Sequence, residues 1–322
     1  MKKLILKCFL YGALILVSLE IMVRVFHLHK DTPSRFVDEY EVEKWVPNQN
    51  GYAVTGNRRQ NFSEYRINNA GFNSYREFNP TKEHVEIALV GDSFIEGFHQ
   101  PYYRSIGKKI EDKIQHIEVY EYGYAGYDFA DQLHLINAYK AHFDLIDQVI
   151  LGIKFNNDLT RGKYTVIQDR LALQSPFNQK LKQIKLLVYA KSIGLLDPPK
   201  YLIRKMSSLV RSKAKISEKN KKDSLQIQKR KEEQYLSNFK SLVNLYGFDK
   251  SRYTLLLDSS ITPSVFLSYL DKNNFKYIDF NPTFSKSKGP TTLIYDRHWN
   301  NHGRNLIAQN IVSYLQSISL QN

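Results

Sequence analysis

The chain has 322 residues, 42% of them hydrophobic and 24% charged, with 22 Tyr and 18 Phe; this aromatic content excludes a disordered chain, and the length allows one large domain or two small ones. Its single cysteine, Cys8, excludes an intrachain disulfide and a cysteine-based zinc site. An excess of 46 Lys and Arg over 32 Asp and Glu leaves a net charge of +14, which suits nucleic acid, anionic lipid or an acidic polymer without choosing among them.

The N-terminus opens with Met1-Lys2-Lys3 and continues from Leu4 to Val25 as an apolar run whose only charges are Lys7, Glu20 and Arg24. As a helix this run reaches about 33 Å, enough to cross a hydrocarbon core of about 30 Å. Glu20 and Arg24, four residues apart, can pair on one face near its end. No Ala-x-Ala-like site follows, which favours an uncleaved signal anchor over a removed signal peptide. Lys2, Lys3 and Lys7 place the tail in the cytoplasm and the remaining chain outside it, in the periplasm or at the cell surface. Residues 1–30 are therefore read as tail and transmembrane anchor, and an anchored extracytoplasmic domain disfavours nucleic acid as a partner.

Residues 31–83 form a polar, turn-rich extension expected to pack on the domain that follows. The run Val85 to Val90 reads as a buried strand ending at Gly91-Asp92-Ser93. A helical pattern over Tyr103 to Ile114 follows, then a strand at Ile117 to Tyr120, a helix from Tyr127 to Lys140 and the apolar strand Gln148 to Ile153. Further strands are expected at Tyr253 to Leu257 and Lys276 to Phe280, with a closing helix from Gly303 to Ser317. Strands alternating with helices at this spacing predict an α/β fold, a three-layer α/β/α sandwich on a mainly parallel sheet, over residues 84–322. The strandless stretch at about 160–250 predicts a helical insertion. Residues 181–240 hold 16 Lys and Arg against five acids, a local +11, and read as a solvent-facing basic arm offered to anionic lipid or an acidic polymer.

In such a sheet the functional crevice lies beyond the carboxyl ends of the strands. After the first strand, Gly91-Asp92-Ser93-Phe94 combines a sharp turn with a serine at a helix start, where backbone N–H groups favour developing negative charge. After the second comes the glycine-punctuated Tyr122-Gly123-Tyr124-Ala125-Gly126-Tyr127, and after the third Asn156-Asn157-Asp158, whose amides can donate. Near the C-terminus, Asp296 and His298 would face the same way in an extended segment, the carboxylate orienting the imidazole. A Gly-Asp-Ser turn alone is as readily a helix cap, Gly123 competes with Gly126, and Asn156 makes the register at Asn157 ambiguous by one. His298 and His302, four apart and with Asp296 nearby, invite a metal, but they lack the acidic partner of a His-Glu-x-x-His site, so no metal is expected; a serine nucleophile with a histidine base requires no organic cofactor.

The four blocks in this order resemble the GDSL/SGNH hydrolases over about residues 84–158 and 290–318. Arg66-Ile67-Asn68-Asn69-Ala70-Gly71-Phe72 and His298-Trp299-Asn300 are similar to a membrane-anchored bacterial branch associated with surface polysaccharides. The resemblance implies an SGNH-type, flavodoxin-like fold with Ser93 as nucleophile, His298 as base and Asp296 as orienting acid, and an oxyanion hole from the Ser93 N–H, the Gly126 N–H and the Asn157 side chain. It implies a serine esterase acting on acyl, above all O-acetyl, esters of a cell-surface carbohydrate. The same triad also serves an O-acyltransferase, and the anchored domain could instead be a non-catalytic glycan binder. The family's usual final block spaces its Asp and His three apart, whereas here the gap is two, and Phe94 stands where the family has leucine.

Overall fold

The computed structural model describes residues 1–55, 61–172, 174–196 and 218–319. Helix α1 (Lys2–Val25) is exposed from residue 2 to residue 19 and meets the rest of the molecule only from Glu20, with Val23 buried. Among the described residues it is the one helix long and apolar enough to cross a membrane.

The turn-rich extension contains two small antiparallel ladders, β1 (Arg35–Val37) with β2 (Glu43–Trp45) and β3 (Asn50–Thr55) with β4 (Asn61–Arg66). Their strands are short and mix charged with apolar residues, so no apolar run marks them in the sequence. Five parallel strands follow: β5 (Val85–Gly91), β6 (Ile117–Gly123), β7 (Gln148–Gly152), β8 (Tyr253–Leu257) and β9 (Lys276–Asp279). Their order across the sheet is β6-β5-β7-β8-β9. The order reverses at β5, and the crevice of a doubly wound sheet opens at such a reversal.

Helices cover both faces, which is why the central strands β5, β7 and β8 are mainly apolar, while the edge strands β6 and β9 carry charged residues. Side-chain alternation sends Ile87 and Leu89 of β5, Ile150 of β7 and Leu256 of β8 to one face. There they meet Ile106 and Ile110 of a short helix, Ile106–Glu111, and Ile307, Ile311 and Leu315 of the closing helix Asn301–Ser319. Ala88, Val90, Leu151 and Leu255 point to the other face, against Phe129 and Leu133 of helix Phe129–Ala138, Phe266 of Ser264–Lys272, and Trp45 and Tyr65 of the extension. The fold is the expected three-layer α/β/α sandwich on a parallel sheet.

The basic insertion departs from the expected solvent-facing arm. Its long helix, Glu218–Tyr246, buries Phe239 and Leu242 completely. Phe239 stacks on Phe129 at 5.1 Å and meets Phe266 edge-on at 5.0 Å. The last third of this helix belongs to the main core, because its apolar residues recur at helical spacing between charges that stay in water. Residues 197–217, with Lys213 and Lys215, lie outside the described residues.

Candidate active site

Strand β5 ends at Gly91, where a Cβ would stand 2.6 Å from Ile95 Cγ1. Asp92 then caps α2 (Ser93–Glu96), its carboxylate accepting the Phe94 N–H at 3.0 Å. This satisfies an orphan donor of the first turn and fixes the angle at which Ser93 leaves the strand. The other Asp92 oxygen accepts from Lys154 Nζ at 2.6 Å. Lys154 also sits 3.4 Å above the Phe94 ring, which brings a cation beside Ser93.

His298 Nε2 lies 2.8 Å from Ser93 Oγ, joining residues 205 apart in sequence. The Phe94 ring packs on the imidazole at 4.5 Å and on buried Trp299 at 4.8 Å. Arg304, fully buried, donates through Nε to the Trp299 carbonyl at 3.2 Å and through Nη1 to the Phe94 carbonyl at 3.3 Å. One guanidinium thereby fastens the histidine loop to the serine turn.

Asp296 and His298 do come together, but not through an extended segment. Arg297 between them has φ 64°, and Asp296 Oδ1 accepts the His298 backbone N–H at 3.0 Å. The short polar side chain closes a turn around a left-handed residue. Asp296 Oδ2 lies 3.3 Å from His298 Nδ1, close but poorly aligned as a hydrogen bond. The same oxygen is 2.8 Å from Nε2 of His99, whose ring stacks on His298 at 4.0 Å between centroids. Neither His99 nor Lys154 was anticipated from sequence. Lys154 stands two residues past the end of β7, where the crevice rule points, whereas His99, after the α2 turn, carries no motif.

The other anticipated residues are placed as follows. Gly126 has φ 94°, a conformation that favours glycine, and its carbonyl accepts from Arg170. Gly123, at the end of β6, is pressed against α2, so that a Cβ would fall 2.1 Å from Glu96 N. Asn156 and Asn157 are exposed, and Asn157 Nδ2 donates to Asp158 Oδ1 at 3.2 Å rather than toward Ser93. His302 bonds Ser287 at 2.8 Å, away from His298. His99, Asp296 and His298 bring three ligand atoms within 4.8 Å of one another, the geometry a cation would need, although in this structure these atoms serve each other.

A cavity of about 850 Å³ lies in front of the serine, lined by Ser93, His99, Asp296 and His298, by Trp45 and Phe98, and by Leu28, Lys30, Asp31 and Thr32 just after α1. Burial lowers the pKa of His298 from 6.5 against the opposing pull of Asp296, so the ring is a neutral base at pH 7. Burial also lowers His99 to about 4, so it reaches Asp296 as a neutral N–H donor. Glu96, fully buried on the cavity wall, is pushed up to about 7 by desolvation, although it accepts from Trp45 Nε1 at 2.7 Å and the Ala125 N–H at 3.0 Å.

No protein-family model matches the chain, and no curated protein does. Solved structures that align with it include a member of the lipolytic protein G-D-S-L family from Veillonella parvula (15% identity, 71% of this chain and 97% of that one, TM-score 0.36). They also include a lipase/acylhydrolase from Enterococcus faecalis (13%, 72% and 96%, TM-score 0.40). A third is a psychrotrophic esterase from Pseudoalteromonas (11%, 74% and 99%, TM-score 0.40). Likenesses this loose carry neither an activity nor a residue's role across to this chain.

Proposed function

We propose that the chain is a membrane-anchored serine ester hydrolase with Ser93 as nucleophile, His298 as general base and Asp296 as orienting acid. The 2.8 Å contact between Ser93 Oγ and His298 Nε2, at a helix start and in front of a cavity, carries this reading. Ser93 Oγ attacks the ester carbonyl carbon while its proton passes to His298 Nε2. The tetrahedral intermediate collapses, the leaving alkoxide takes that proton, and an acyl-serine remains until water, deprotonated by the same ring, releases the acid. Ser93 heads α2, so its N–H has no intrahelical acceptor and is available to the oxyanion. The Gly126 N–H and the Asn157 amide complete the hole once Asn157 turns from Asp158.

The substrates proposed are acyl esters, O-acetyl groups of a cell-surface carbohydrate foremost, with the domain outside the cytoplasm on the α1 anchor. Treating the purified protein with a fluorophosphonate and mapping the labelled peptide tests the assignment. Label on Ser93 alone, lost in Ser93→Ala, is expected. An unlabelled chain would end the hydrolase reading and leave the glycan-binding one.

A further inference from the structure

The anchor is not a free tether. Glu20 of α1 accepts the backbone N–H groups of Lys185 at 3.0 Å and Leu186 at 2.6 Å, capping the helix Lys185–Ser192 from outside. Arg24 bonds Glu20 at 2.7 Å and the Gln183 carbonyl at 2.6 Å. These contacts clamp the last two turns of α1 to the domain.

The clamp shortens the part of the anchor that a bilayer can cover. The part exposed on every side, Leu4 to Leu19, has 16 residues, about 24 Å of helix where the hydrocarbon core needs about 30 Å; beyond it only one face, with Ile21, Met22 and Val25, stays exposed. If α1 spans, the clamped end and its neighbours are drawn into the headgroup layer. The domain surface there is built for it. Phe177 is 70% exposed, Leu195 73%, Leu196 51% and Ile184 50%, interspersed with Lys180, Lys182 and Lys191. Apolar side chains among lysines suit the boundary between acyl chains and anionic headgroups. A cleft of about 250 Å³ between anchor and domain is lined by Arg24, His27, His29 and Lys185, with Asp31 its one acid. Residues 28–32 lead from this clamp straight into the lining of the Ser93 cavity, and Ser192 at the end of the capped helix lines it too.

The geometry points to a membrane-seated active site: the clamped end of α1, the helix Pro176–Gln183 and the segment 184–196 rest in the headgroup layer, so the Ser93 cavity opens at the bilayer surface and draws its ester from an amphiphile anchored in the same leaflet. The substrate half rests on the hydrolase reading; the seating does not.

The test uses the full chain in vesicles of equal parts phosphatidylcholine and phosphatidylglycerol. On a Cys8→Ser background, an environment-sensitive dye is attached at Leu195→Cys, at Phe177→Cys or at Glu83→Cys, the last beside the amino end of β5 on the far side of the sheet. Dyes at 195 and 177 should emit as in a low-polarity medium and be quenched by lipids carrying nitroxides near the headgroup, while the dye at 83 stays water-like. Water-like emission at both 195 and 177 would overturn the seating. For the substrate, an aryl acetate bearing a long alkyl chain held in the vesicles is compared with the same ester lacking the chain. Wild type should prefer the anchored ester, and Leu195→Asp with Leu196→Asp should cut that preference several-fold. Equal turnover of both esters by all forms would overturn the amphiphile assignment. A chain whose Ser93 takes no fluorophosphonate fails as a hydrolase and with it the substrate half, and the dye depths then decide the seating alone.

Discussion

At the scale of single residues, the contacts around Ser93 rank the substitutions. Ser93→Ala and His298→Ala each remove a partner of the 2.8 Å contact and should abolish ester turnover, while Asp296→Ala leaves the base in place and should retain a fraction of it; His302→Ala, remote from the site, should match wild type in the same aryl acetate assay. Because His298 must be neutral to accept the serine proton, and burial lowers its pKa, the acid limb of kcat/KM should fall below pH 6.5. His99 competes for Asp296 Oδ2. His99→Phe keeps a stacking ring and removes the donor, so Asp296 stabilises the imidazolium more strongly and the acid limb should move to higher pH. His99→Gln restores a donor and should move it back; an acid limb that stays in place in His99→Phe would show that His99 only packs. Glu96 makes a second pH prediction. Its folded pKa of about 7 lies above the ordinary 4.5, so the stability gained from its proton is complete below 4.5 and lost as pH rises to about 7. That interval is worth about 3 kcal/mol at most, and Glu96→Gln should flatten this part of the plot of Tm against pH.

At the scale of elements, the site is held by turns rather than by strand faces. Asp296 and His298 meet because Arg297 adopts φ 64° and the Asp296 carboxylate caps the His298 N–H, a route that accommodates an Asp-to-His gap of two. The α2 turn sits so close to the end of β6 that Gly123→Ala would put a Cβ 2.1 Å from Glu96 N, and the backbone bearing Ser93 would have to move. Fluorophosphonate labelling of that variant should slow far more than its Tm falls. Arg304 ties the same two segments with a planar fork that a single ammonium does not reproduce. Arg304→Lys should therefore cost about 2–3 kcal/mol of stability, read by urea unfolding, and lower turnover together with it.

At the scale of the whole molecule, the long helix Glu218–Tyr246 is the test of where the insertion ends and the core begins. Phe239→Ala opens a cavity among Phe129, Phe266 and Phe275 and should destabilise the protein by about 3–5 kcal/mol in urea unfolding, whereas Ile227→Ala, two-thirds exposed, should change little. The sequence by itself determined the sandwich, since its central strands, buried on both faces, are mainly apolar and alternate with helical segments, and it marked Ser93 and His298 because turn, strand and helix signals are local. It also determined α1, whose length and hydropathy need no partner to be read. What only the tertiary structure decided depends on contacts between distant segments. His99 reaches Asp296 across nearly two hundred residues, Lys154 finds Asp92 from the end of another strand, and Arg304 finds two carbonyls. The charge of the insertion likewise hid a core helix, because composition averages over faces that packing separates. Glu20 reads as half of a surface pair until the fold brings the backbone of Lys185 and Leu186 to it, which fastens the end of α1 to the domain.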